Sequence, residues 1–240
     1  VVEACEEALQ QLVPLTKGCT AIVCTVRRPE KGSGKKLYNS AAILVDGQLA
    51  GWCDKQLLPN YDVFDEGRYF SAGGSSCVQV VPTASGTRRI AVTICEDIWE
   101  PSGLLEEENY TCNPLVGIGA VDLVINLSAS PYHLGKRDIR LAVVQAAARR
   151  CQAPVVLCNQ LGGQGSLIFD GASVAVGANG ELLAAAEPFD SAPLVVDFER
   201  PSRAKSYITE EEELWRALSC GLGDYFRKKR FDKALIGLSG

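Results

Sequence analysis

Three groups of residues in this sequence have types and positions that could do chemistry. The first is Cys95. An apolar, β-branched run, Ile90-Ala91-Val92-Thr93-Ile94, ends abruptly in Cys95-Glu96-Asp97-Ile98-Trp99. With no polar face apart from Thr93, the run reads as a central strand covered on both sides. Its end is where α/β folds display reactive groups, and a cysteine thiolate there is a nucleophile. The ordinary alternative is that Cys95 is one more small buried hydrophobe, since the chain has ten cysteines. The second group is Lys55, at the end of the apolar arm Gln48–Lys55. A lysine beside a cysteine lowers the thiol's pKa and can hold an oxyanion, although a strand-end lysine is ordinarily solvated surface. The third is Lys136, at the start of a helical pattern. A positive charge is unfavourable at a helix N-terminus, which favours a specific use over a bland one. No spacing alone shows that these three groups meet.

The elements that must position them can be outlined. Val1 to about Lys17 reads as an amphipathic helix closed near Gly18, and Thr20–Val26 as a strand. Leu37–Val45 and Gln48–Lys55 flank Asp46-Gly47, the strongest hairpin signal in the chain. The long irregular stretch Gln56–Ser76 carries Tyr61, Phe64 and Glu66, and irregular loops of this length are usually functional. Cys77–Val81 pairs with Arg88–Cys95. A short helix is expected at Asn113–Gly119, a strand at Val121–Leu127 and a helix from about Lys136 to Arg150. Further strands are expected at Pro154–Asn159, Ala172–Val176, Glu181–Ala186 (turning at Asn179-Gly180) and Leu194–Phe198. Glu199–Ser206 reads as a linker. Thr209 then caps a helix with acids in its first turn and Arg227-Lys228-Lys229-Arg230 at its end. The acid run is read as a solvated helix start and not as a metal site. Phe231–Leu238 reads as a new strand. Antiparallel hairpins alternating with βα units point to an α/β (α+β) fold, a two-layer sheet sandwich with helices outside.

The totals narrow the classes. At 240 residues, 47% hydrophobic and 22% charged, the chain can bury a full α/β core. A net charge of −5 argues against a nucleic-acid or anionic-membrane binder. No apolar run reaches transmembrane length, and Glu3, Glu6 and Glu7 are the wrong charge for a signal peptide. None of the cysteines form a CxxC pair and His133 is the only histidine, so no metal site is expected. Cys24 and Cys158 lie in strand-like runs and are expected to be buried reduced thiols, which fits a cytoplasmic location better than a disulfide framework. The sequence has no Met, begins inside a helical pattern and stops at Gly237-Leu238-Ser239-Gly240, so it reads as a piece of a longer protein.

Several of these stretches also carry a resemblance. Asp54-Lys55 with Leu58-Pro59-Asn60-Tyr61-Asp62-Val63-Phe64-Asp65-Glu66, then Ile94-Cys95-Glu96-Asp97-Ile98-Trp99, then Ser130-Pro131-Tyr132-His133-Leu134-Gly135-Lys136-Arg137, resemble the glutaminase domains of glutamine-dependent NAD⁺ synthetases. These belong to the nitrilase (carbon–nitrogen hydrolase) superfamily. Gly162-Gly163-Gln164, Phe169-Asp170-Gly171-Ala172-Ser173 and, in the tail, Gly221-Leu222-Gly223-Asp224-Tyr225-Phe226 and Ile236-Gly237-Leu238-Ser239-Gly240 extend the resemblance through essentially the whole chain. It implies a nitrilase-like α-β-β-α four-layer sandwich. Residues 1–198 would be the glutaminase domain, 199–230 a linker and helix, and 231–240 the start of a synthetase domain. It further implies Cys95 as nucleophile, Lys55 as the triad lysine and Glu66 as an additional acid beside it. Tyr61, Ser130 and Lys136 match glutamine-binding positions, with Trp99 and Phe64 as pocket walls or core. The family's triad glutamate lies ahead of the first helix, so the resemblance assigns the base to no residue here. Glutamine is the implied substrate. ATP, Mg²⁺ and deamido-NAD⁺ would act in the synthetase domain, and a homo-oligomer is implied. The alternatives are a stand-alone amidase or carbamoylase of the superfamily, and a nitrilase-like scaffold without the glutamate.

Overall fold

The chain is described by a computed structural model covering residues 1–30, 36–99, 110, 112–200 and 208–238. Asp46 and Gly47 both adopt positive φ, 48° and 78°, the conformation that two-residue hairpin turns require. They join β2 (Tyr38–Val45) to β3 (Gln48–Asp54), and β1 (Thr20–Arg27) pairs antiparallel with β2 on its other side. This three-stranded sheet is one layer. A six-stranded sheet is the other, in the order β11-β10-β7-β6-β5-β4: β4 Cys77–Thr83, β5 Gly86–Ile94, β6 Leu123–Ser128, β7 Val155–Asn159, β10 Val174–Val176 and β11 Leu182–Ala185. Within it β5, β6 and β7 are mutually parallel.

Burial explains the layering. Ala41, Ile43 and Cys53 of the first sheet pack against Val81, Ile90, Val92 and Ile94 of the second. Neighbouring side chains on a strand point to opposite faces, so Ala42 and Leu44 face the other way, onto Leu9 of α1 (Val2–Leu12). Ala91, Val124, Val155 and Leu157 likewise turn outward onto Val143, Val144, Ala147 and Ala148 of α3 (Lys136–Cys151). The four layers α-β-β-α follow, and the expected sandwich is observed. The last helix, α4 (Glu210–Lys229), is capped by Thr209, whose Oγ1 accepts the Glu212 N–H at 3.2 Å.

Several expectations are corrected. Residues 113–117 form turns and not a helix. Leu194–Phe198 is not a strand: Leu194 and Val196 pack on Ala175 and Leu183, and Val195 faces solvent, so the apolar alternation is satisfied by packing without ladder partners. Phe231–Leu238 is irregular and exposed; with no neighbouring strand among the described residues, its β-branched and apolar content has nothing to pair with. Most of the 199–206 linker, and Ser239-Gly240, lie outside the described residues. The hairpin β8 (Leu161–Gln164) and β9 (Leu167–Asp170) was not expected. Its glycines bring it close to α4. A Cβ on Gly162, at φ +118°, would meet Asp224 Oδ2 at 2.5 Å, and that carboxylate accepts the Gly163 N–H at 2.7 Å. Cys24 and Cys158 are open to a cavity and not covered. Cys53 and Cys77 are joined as a disulfide, so not every thiol is reduced as expected.

Candidate active site

The parallel strands β5, β6 and β7 all end on one side of the sheet, the usual position of a site in open α/β sheets. Cys95 follows β5, Ser128-Ala129-Ser130 ends and follows β6, and Asn159 ends β7. A cavity of about 520 Å³ lies there, lined by Cys95, Lys55, Glu66, Phe64, Ala129, Asn159 and the thiols of Cys24 and Cys158, among others.

Cys95 opens a 3₁₀ turn, Cys95–Ile98, with φ +47°. A non-glycine residue in that region is uncommon and marks a sharp turn; here the chain reverses out of β5 at Cys95. Burial pushes the Cys95 thiol up, Lys55 opposes that shift, Glu96 adds to it, and the Ala129 N–H, hydrogen-bonded to the sulfur, lowers it. The sulfur therefore rests as a thiol and needs a proton acceptor to react. Burial first pushes the Cys24 thiol up to about 12, and Cys95 adds to the shift when it is a thiolate. Although its side chain opens into the cavity, protein surrounds it at longer range.

Lys55 is 1% exposed, so the surface alternative is excluded. It extends β3: its N–H donates to Asn39 O at 2.8 Å, and its carbonyl accepts the Gly73 N–H at 2.8 Å. Its Nζ meets Glu66 Oε1 at 2.5 Å. Glu66 begins the short helix α2 (Glu66–Tyr69), and its Oε2 is buried with no hydrogen-bond partner among the described residues.

Tyr61, Ser130 and Lys136 do not line the cavity that holds Cys95 and Lys55. Two of them gather instead around Glu96, next to Cys95. The Tyr61 hydroxyl donates to Glu96 Oε1 at 2.8 Å, and Tyr110 donates to the same oxygen at 3.3 Å. The Lys136 Nζ sits 4.6 Å from the centroid of the Trp99 ring. Its pKa is lowered by burial first and by Arg140, and raised by Cys95, when that sulfur is a thiolate, and by the Glu96 carboxylate. Trp99 is core, beneath Lys136, while Phe64 is a cavity wall. Ser130 is buried, with its N–H donating to Asn159 Oδ1 at 3.0 Å. His133 is exposed in the loop, its ring donating to Leu134 O.

Four further residues hold this arrangement and were not anticipated. Asp97 Oδ1 accepts the N–H groups of Gln56 at 3.1 Å and Leu57 at 2.9 Å, and its Oδ2 accepts that of Ile94 at 3.0 Å. One buried carboxylate thus clamps the strand before Cys95 to the loop after Lys55. Asn159 joins Ser130 to Asp170 Oδ1 at 3.1 Å and to Gly171 O at 2.9 Å. Asp170 in turn pairs with Arg140 of α3 at 2.8 Å, both fully buried. Acids directly after Cys95 were a visible signal for Asp97. Nothing local in the sequence marks Asn159, Asp170 or Arg140 as partners. Among the described residues no three His, Cys, Asp or Glu side chains form a metal-ligand group.

A family model for carbon–nitrogen hydrolase matches residues 4–204. The chain belongs to the carbon–nitrogen hydrolase family. A glutamine-dependent NAD(+) synthetase from Synechocystis sp. is 38% identical, the alignment covering 100% of this chain and 44% of that relative. The structure of glutamine-dependent NAD⁺ synthetase from Acinetobacter baumannii, solved with ADP, superimposes with a TM-score of 0.76 at 29% identity, over 95% of this chain and 41% of that one. A carbon–nitrogen hydrolase from Helicobacter pylori shares the fold, with a TM-score of 0.59 at 22% identity over 78% of this chain and 64% of its own. The chain spans less than half the length of the curated synthetases it matches. Among carbon–nitrogen hydrolases, then, this chain is similar over its whole length to the N-terminal part of those synthetases.

Proposed function

We propose that this carbon–nitrogen hydrolase domain hydrolyses the side-chain amide of L-glutamine and supplies the ammonia to a synthetase partner domain that amidates deamido-NAD⁺. The observation that carries the reading is the meeting of Cys95 and the Lys55–Glu66 pair in one cavity, directly beside a cluster of opposite charges, Glu96 and Lys136. An amide is a poor electrophile, so the reaction needs a thiolate and donors for the tetrahedral oxyanion. Cys95 attacks the amide carbon and its proton passes to a carboxylate. Glu66 is the carboxylate lining the cavity among the described residues, but its Oε1 is committed to Lys55. Glu66 is therefore assigned the fixing of Lys55, and the base is assigned to no described residue. Lys55 and a backbone N–H at the turn after Cys95 hold the oxyanion. Ammonia leaves as its nitrogen gains a proton, and water hydrolyses the Cys95 thioester to glutamate. Glutamine's α-carboxylate takes Lys136 and its α-ammonium takes Glu96, with Tyr61 and Ser130 shaping the head-group site.

ATP and Mg²⁺ would activate deamido-NAD⁺ in the partner domain. The steps proposed for this domain are carried by its own side chains and backbone. The names of the relatives support glutamine as nitrogen donor, and a cytoplasmic homo-oligomer is part of the same proposal. In the full-length protein Cys95→Ala should abolish glutamine-dependent synthesis and leave ammonium-dependent synthesis intact, and Lys55→Ala should act likewise. Normal glutamine use by the Cys95→Ala variant would overturn the proposal.

A further inference from the structure

Asn126 lies in β6 with its side chain fully buried. It shares a face of the sheet with Val124, which packs under α3. An amide in an apolar face is costly unless its groups are hydrogen-bonded, and here they are. Its nitrogen donates to Thr93 Oγ1 at 3.1 Å and to Cys95 O at 3.3 Å. Its oxygen accepts the Ser128 hydroxyl at 2.6 Å. A backbone carbonyl only accepts, so the bond to Cys95 O fixes which way the amide points. Thr93 Oγ1 in turn donates to Ile125 O at 3.1 Å.

The ends of this network are what matter. The parallel ladder of β5 and β6 pairs Thr93 with Asn126 and Ile94 with Leu127 and stops there. The amide carries the connection one residue further, to the carbonyl of Cys95, where the chain leaves the sheet. Cys95 holds φ +47°, a conformation that persists only where the surroundings fix it. At the other end, Ser128 is followed directly by Ala129, whose N–H bonds the Cys95 sulfur. Bonds thus run from the carbonyl of Cys95, through Asn126 and Ser128, to the group that faces its own sulfur. Cys95, Ser128 and Ala129 line the cavity and Asn126 does not. We propose that Asn126 is a positioning residue for the nucleophile: it locks the turn at Cys95 so that the sulfur stays against the Ala129 N–H and faces the cavity. It touches no reacting atom and acts through the Cys95 backbone. The inference rests on the reading of Cys95 as the nucleophile.

Two readouts in the full-length protein test it. One is kcat and KM with glutamine; the other is the rate at which iodoacetamide alkylates Cys95 at neutral pH, followed at that residue by mass spectrometry. Asn126→Leu keeps the size of the side chain and donates nothing. It should lower kcat about a hundredfold, as a misplaced reacting group does, with KM within about twofold. Alkylation of Cys95 should slow about tenfold, because a sulfur moved off the Ala129 N–H holds less thiolate. A merely structural role predicts the opposite sign, since a loosened fold exposes the sulfur and speeds its alkylation. Thr93→Val removes one bond of the network but leaves the one to Cys95. It should lower the melting temperature and keep kcat and alkylation within about threefold of wild type. Where circular dichroism shows that Asn126→Leu folds poorly, Asn126→Ser, small enough to admit a water to the freed groups, carries the same expectations. Alkylation at the wild-type rate or faster in a folded Asn126 variant overturns the proposal. So does a Thr93→Val variant that loses as much kcat as Asn126→Leu. Cys95→Ala separates the two readings: normal glutamine use by that variant removes the catalytic role of Cys95, while the alkylation rates still decide whether Asn126 positions its sulfur.

Discussion

Asp97 shows how a single side chain can fix the distance between two others. Its carboxylate grips three backbone N–H groups, two just after Lys55 and one just before Cys95. Burial nevertheless pushes its carboxyl up to about 6, more than those N–H groups pull it down. The folded protein therefore binds a proton between about pH 4 and pH 6 that the unfolded chain does not. Stability from this group falls as pH rises through that window, by up to about 3 kcal/mol, and is level above it. Denaturant unfolding at pH 4.5 and pH 7 should show this component, and Asp97→Asn should remove it while leaving the contribution of other carboxylates. An unchanged pH slope in the Asn variant would contradict the assignment. Lys55 illustrates the limit of reading residues singly. On a strand end it looked like surface, and only the return of the 56–76 loop, with Glu66 at 2.5 Å, makes it buried and paired.

At the scale of elements, what was legible was local. Asp46-Gly47 and Asn179-Gly180 mark turns through their own backbone preferences, and the Ile90–Ile94 run announces a strand buried on both faces. The β8–β9 hairpin was not legible. Gly162 and Gly163 weaken any strand signal, and they are there because α4 approaches within contact distance. Leu194–Phe198 shows the converse, an alternating pattern that packs without a ladder. Of the site, Cys95 was marked by its place at the end of an apolar strand, while the partnership of Lys55 with Glu66 was legible only through whole-motif resemblance. The support beneath Ser130 was not, because Asn159, Asp170 and Arg140 come from three different elements and meet only after folding. That support is open to test. Asp170→Asn leaves the Arg140 charge buried without its ion partner and should cost about 3–5 kcal/mol in unfolding free energy. Arg140→Met with Asp170→Leu, which removes both charges, should cost much less, as measured by the same unfolding titration.

Across the whole molecule, the two sheets are joined covalently as well as by packing. Cys53 sits in β3 of the three-stranded sheet and Cys77 in β4 at the edge of the six-stranded one. Alkylation without reductant followed by mass spectrometry should find these two thiols protected and Cys19 and Cys112 modified, since the latter are exposed. Closing a loop of this length stabilises the fold by about 3 kcal/mol in the chain-entropy account, so reduction should lower the melting temperature. The closed loop is the segment that carries Lys55, Tyr61, Phe64 and Glu66. A protease that nicks it anywhere between Asp54 and Ser76 therefore does not release a fragment. The two pieces stay tethered, run as one band on a non-reducing gel and separate only with reductant. After a cut between Tyr61 and Glu66, Lys55 remains on one piece and its acidic partner on the other.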